Sequence, residues 1–125
     1  MKTKTIIAVI AIVALASCKK EGTGGQATVA TIVQHHGKNI PFSMVYVKYG
    51  AKDFPGDDVS KYDASQKTDK EGHTHFKELQ KGDYYFYAVG YDSASVATVK
   101  GGVSLKISRK EKKSEIEQFV AVTED

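Results

Sequence analysis

The chain has no tryptophan, two prolines and a single cysteine in 125 residues. One cysteine allows no intramolecular disulfide, so a folded domain has to be held by its apolar core. A lone thiol also cannot build a cysteine-based zinc site. No Gly-X-Ser-X-Gly elbow and no phosphate-cradling glycine loop occurs, and no two carboxylates are marked out as a buried acid and base. Those gaps argue against an enzyme. No segment carries a helical apolar stripe, which argues against an α-helical fold. A real excess of one charge is missing too. The formal net charge is +3, but Lys2 and Lys4 lie in a leader-like stretch without acids; the 18 basic residues less these two leave 16 against 15 acidic ones. A nearly neutral chain gives no electrostatic reason to expect a nucleic-acid partner.

The one long apolar run lies at the front. Lys2 and Lys4 precede Ile6 to Ala16, which holds no charge, and Leu15-Ala16-Ser17-Cys18 then meets Lys19-Lys20-Glu21. A charged head, a short apolar core and small residues before a cut site mark a secretory signal over residues 1–17. The run is too short to span a membrane as a helix, which needs about 20 residues. Leu-Ala-Ser-Cys resembles the bacterial lipobox, which implies a diacylglycerol thioether on Cys18 and explains a cysteine with no disulfide partner. Each buried methylene contributes about 0.8 kcal/mol and a single chain holds weakly, so two or three acyl chains are needed for a lasting anchor. Lys19 stands where an aspartate would suggest inner-membrane retention in the enterobacterial rule, so the outer membrane is expected. Cys18-Lys19-Lys20-Glu21 partly resembles the surface-export signal of Bacteroidetes lipoproteins, with Gly22 in place of its second acid. The periplasmic face and the cell surface both remain open. Residues 18–26, with Gly22, Gly24 and Gly25, read as a flexible tether of roughly one or two nanometres at most.

Residues 27–125 read as one domain. Period-two alternation of β-branched and aromatic residues predicts strands over Thr28–Gln34, Phe42–Tyr49, His73–Phe76, Tyr84–Tyr91, Val96–Lys100, Val103–Ser108 and Ser114–Val122. Val59–Tyr62 is a short strand or a helical turn. Gly101-Gly102 separates two strands, and Arg109–Lys113 is a charged hairpin loop. Seven or so short strands with frequent turns predict an all-β, seven-stranded sandwich of the Ig-like kind. Its core takes Tyr84, Phe86, Ala88, Val45, Val47, Val103, Leu105 and Ile107, with the Tyr84 hydroxyl given to a turn.

Thr68-Asp69-Lys70-Glu71-Gly72-His73-Thr74-His75-Phe76, followed by Leu79, Gly82 and Tyr84, resembles the signature of carboxypeptidase-regulatory-like domains, which are prealbumin-like (transthyretin-like) sandwiches. Ile40-Pro41 and Val45-Tyr46-Val47-Lys48 resemble an earlier strand of that family. The whole chain also looks like small lipoproteins of Bacteroidetes. The resemblance implies a non-catalytic accessory, adhesive or transport-associated module.

If Tyr84 and Phe86 point inward, Tyr85, Tyr87 and Tyr91 point outward, and Tyr46 joins them from its own strand. Such a row suits a protein or glycan partner; alternatively, the 50–70 loop or the C-terminal strands cover it. His73 and His75 share one face of a strand, and His35 or His36 would supply a third imidazole if the turns meet. That is a set for a transition metal, the one cofactor class the sequence raises; ordinary exposed turn residues are the simpler alternative. Asp53, Asp57, Asp58 and Asp63 crowd the long loop without the spacing of a calcium loop. The expected function is therefore a non-catalytic, lipid-anchored envelope module. A histidine metal site or a purely structural spacer stands as the alternative.

Overall fold

Strand β1, Thr23–His35, organises the first sheet of the computed structural model, which describes residues 21–124. The leader and Cys18 lie outside the described residues. Along β1, Ala27, Val29 and Val33 turn one face into the core. Both edges of the strand are used. Strand β5, His73–Leu79, pairs antiparallel with it. Strand β8, Glu115–Ala121, pairs parallel over Thr28–Gln34. Strand β2, Lys38–Asn39, closes a two-residue hairpin on its end.

The second sheet holds β4 (Ala64–Lys67), β3 (Met44–Tyr49), β6 (Gly82–Asp92), β7 (Ala97–Ile107) and β9 (Thr123–Glu124), in that spatial order. Its inner face carries Val45 and Val47, then Tyr84, Phe86 and Ala88, then Val99, Val103, Leu105 and Ile107. Phe76 meets Phe86 across the interior with ring centroids 5.5 Å apart. The fold is thus the all-β sandwich expected, but four strands face five where seven in all were expected: Val96–Lys100 and Val103–Ser108 merge into one strand, and the short β2, β4 and β9 are added. No helix among the described residues is long and apolar enough to cross a membrane.

Tyr84 does what its pattern predicts. Its ring is fully buried, its hydroxyl donates to the Gln80 carbonyl at 2.5 Å, and it accepts from the Gly22 amide at 3.0 Å. Burial pushes this phenol above its ordinary pKa, so it stays a neutral donor.

Several expectations need correction. Thr23–Gln26 are not tether but the start of β1. Gly101-Gly102 does not separate strands; β7 runs straight through it. At Gly101 an added Cβ would strike the Ala121 carbonyl, where the chain leaves β8 for β9, so the missing side chain makes room for a crossing. Arg109–Lys113 is no hairpin loop. It holds a 3₁₀ turn, Arg109–Glu111, that carries the chain from one sheet to the other. The Ser108 hydroxyl donates to the Glu111 carboxylate there at 2.8 Å. Val59–Lys61 resolves to a 3₁₀ turn, capped by the Asp58 carboxylate on the Ser60 amide at 3.1 Å.

On the core face of β1, Thr31 is fully buried and its hydroxyl has no hydrogen-bond partner. An unmet buried hydroxyl carries a desolvation penalty of about 1–3 kcal/mol. Thr31→Val removes the penalty with nearly the same shape. It should raise stability by about 1 kcal/mol, read as a higher urea midpoint at constant m-value; a lower midpoint would contradict the assignment.

Candidate functional site

The outer face of the five-stranded sheet presents Tyr46 from β3 and Tyr85, Tyr87 and Tyr91 from β6, as alternation requires. It is not an open row. The 50–63 segment folds back over it. Asp63 anchors the return, accepting from the Tyr49 amide at 2.7 Å, while the Tyr62 hydroxyl donates to the Gly56 carbonyl at 2.9 Å. Tyr62 stacks on Tyr87 with centroids 5.8 Å apart and also packs against Tyr46 at 5.9 Å. Phe54 lies 5.3 Å from Tyr87 and 5.9 Å from Tyr85. Tyr87 is consequently buried, which corrects its expected exposure; Tyr46 and Tyr85 are half-buried, and Tyr91 stays open.

What remains accessible is a cleft of about 380 Å³ between the loop and the sheet. Phe54, Tyr85 and Tyr87 form its aromatic wall, and Gly101 and Gly102 expose bare backbone as its floor. Asp57, Lys100 and Glu124 stand among its lining residues. Gly102 is required because the Tyr85 ring lies where its Cβ would be. Burial, joined by the nearby Tyr85, Tyr87 and Asp57, pushes the Tyr62 phenol up to about 12. Burial and then Asp53 raise Tyr85. Tyr62 and Tyr85 are therefore neutral donors at physiological pH. Flat ring faces with a few polar groups suit a ring-bearing or peptide ligand, and the volume lies in the lower part of the usual range for small-molecule sites.

A second constellation sits where β1, β6 and β9 end together. His35 is buried, and its Nδ1 is 2.7 Å from the Asp92 carboxylate. Asp92 is buried as well and also accepts from Lys38 Nζ at 3.1 Å and the Ala94 amide at 3.0 Å. The His35 contact, with Lys38 and the Ser95 and Ala94 amides, holds this carboxyl far below the usual range. His36 packs its ring on His35 with centroids 4.0 Å apart. Glu124 places a carboxylate oxygen 3.8 Å from His35 Nε2. Donor atoms of His35, His36 and Glu124 all fall within 4.8 Å of one another.

His73 and His75 do not join this group, which corrects the expected set of His73 and His75 completed by His35 or His36. Cross-strand pairing places them beside Ile32 and Ala30, on the opposite face of β1 from His35. They line a polar groove of about 680 Å³ with Lys67, Asp69, Lys77 and Glu78. Asp69 is held below the usual carboxylate range by the His73 and Glu71 amides it accepts from, at 3.0 and 2.8 Å. Three of the four loop aspartates have structural partners. Asp58 caps a turn, Asp63 pins the loop, and Asp57 approaches Lys100 at 3.9 Å. Sequence reasoning missed Asp92 and Glu124 altogether. The Ser-Ala-Ser run after Asp92, which suits an Asx turn, was the one local signal.

Gly102→Ala tests the cleft's construction. The new methyl has to lift the Tyr85 ring, so unfolding stability should fall by about 1–3 kcal/mol, measured by urea with circular dichroism. An unchanged midpoint would mean that the ring does not lie on that glycine.

No protein-family model matches the sequence and no curated protein matches it, so the cleft and the histidine corner are the ground for any functional reading.

Proposed function

We propose that this protein is a non-catalytic, lipid-anchored module of the bacterial cell envelope that holds a glycan or protein partner in the cleft between its 50–63 loop and its five-stranded sheet. The observation that carries the binding role is the half-open aromatic wall of Phe54, Tyr85 and Tyr87 over a glycine floor. Phe54 is 49% exposed although it packs on two tyrosines, so apolar ring surface is offered to solvent at a concave site. Sugar rings and peptide aromatics stack on such faces, while Asp57, Lys100 and Glu124 can orient polar substituents.

The envelope location is supported by the leader-like front and by Leu15-Ala16-Ser17-Cys18. The expected position is the outer membrane, on its periplasmic face or at the cell surface. The likeness of the 68–84 stretch to carboxypeptidase-regulatory-like domains favours an accessory module over a catalyst.

The binding role is tested with Phe54→Ala and Tyr85→Ala, screened against envelope glycans and peptidoglycan peptides. Tyr87 is unsuitable for this purpose because it is buried beneath the loop. Each variant should keep its circular dichroism spectrum and lose about tenfold in affinity, the effect of a ring contact near 1.4 kcal/mol. Equal affinity in both variants would place the ligand elsewhere, and no ligand at all would favour a spacer. The anchor has its own test: in cells fed labelled palmitate, Cys18→Ser should carry no label and leave the membrane fraction. Label retained on that variant would refute lipidation at this cysteine.

A further inference from the structure

We propose that His35, His36 and Glu124 form a site for one divalent transition-metal ion, zinc foremost. The proposal does not rest on the binding role argued above, although Glu124 borders both sites.

The backbone makes the first part of the case. Consecutive residues of a strand point to opposite faces, so two adjacent histidines ordinarily cannot share a ligand. Here His36 has φ +54° and Gly37 has φ +76°, the two positive values of a tight hairpin turn of the I′ kind. Asparagine or glycine is the usual first residue of such a turn, because a larger side chain adopts the left-handed region at a cost. Histidine takes that place here, and the turn swings its ring to the His35 side.

The hydrogen bonds make the second part. An ionised Asp92 can only accept, so a neutral His35 ring donates its Nδ1 proton to it and leaves the Nε2 lone pair free. A carboxylate that orients an imidazole in this way is the usual outer partner of a metal-binding histidine. Asp92 is itself fixed by Lys38, the Ala94 amide and the Ser95 hydroxyl, the last at 3.3 Å. Lys38 offsets its charge, so Glu124 brings the anionic ligand.

Geometry supplies the third part. Nε2 of His35 and the nearer Glu124 oxygen are 3.8 Å apart, too far for a hydrogen bond. Ligand atoms about 2.0–2.2 Å from a tetrahedral zinc ion lie roughly 3.3 Å from each other. The trio's donor atoms lie within 4.8 Å of one another, and closing to that spacing is left to the side chains of Glu124 and His36, both exposed. Two imidazoles and one carboxylate suit zinc, nickel or copper(II), and a fourth position would stay open to water. The Asp92 contact alone would explain His35 as a buried structural histidine, but not why Glu124 approaches its other nitrogen while donor atoms of all three residues gather within 4.8 Å.

The test titrates Zn²⁺ into the full chain carrying Cys18→Ser, in detergent, against a chromophoric chelator; the cysteine is changed so that its thiol does not compete. One equivalent should bind. His36→Ala and Glu124→Gln, both at exposed positions, should weaken binding at least tenfold with unchanged circular dichroism. A His73→Ala/His75→Ala double variant should bind like the parent. Failure to compete with the chelator overturns the proposal. So does binding that survives both ligand variants, or binding that is lost in the double variant.

Discussion

Hydrogen bonding on both edges of β1 is the constraint from which the rest of the molecule follows. Thr28–Gln34 are paired with β8 on one side while β5 and β2 take up the other. A strand so enclosed must be apolar on its core face, and Ala27, Val29 and Val33 meet that need. Because β8 runs parallel to β1, it cannot arrive by a hairpin. The chain must cross from the other sheet, which it does through the 3₁₀ turn after Ile107. It must then cross back after Ala121, over the bare backbone of Gly101. The free end of β1 projects His35 to the sandwich's far end, beside Asp92 and Glu124.

Much of the fold was legible because strand alternation is local. Tyr84, Phe86 and Ala88 against Tyr85 and Tyr87 follows from period two alone, and the paired valines of β3 were equally clear. Glycine was misread where its role is set by distant chain. At Gly101 and Gly102 the reason is a carbonyl near the C-terminus and a ring on the neighbouring strand, neither visible in a local window. The site was less legible for the same reason. Outward pointing was correct for the tyrosines, but exposure depends on whether a loop lies down, and Phe54 and Tyr62 decide that by stacking. Among the histidines, the local pair His73 and His75 looked the better set. Contact with Glu124 depends instead on a two-residue strand 88 positions beyond His36.

The short β9 links the two constellations. Its Thr123 and Glu124 line the aromatic cleft, while Glu124 also faces His35. Only two residue pairs hold this strand to β7. Ligands at the proposed histidine site and in the proposed cleft would therefore act on the same few backbone hydrogen bonds. Ordering β9 for one would lower the entropic cost of the other, a coupling that needs no change of fold.

The Tyr84 hydroxyl and the Gly22 backbone have a mechanical consequence. The Gly22 amide reaches that phenol and its carbonyl accepts from the Gln80 amide at 2.8 Å, so the chain is clamped to the body at residue 22. Between Gly22 and Cys18 the backbone can reach no more than about 14 Å even when drawn straight. An acyl anchor at Cys18 would then act as a stub axle rather than a leash. It would hold the end that bears Lys81, Lys112 and Lys113 close to the lipid headgroups and point the histidine corner away, like a lantern on a short bracket.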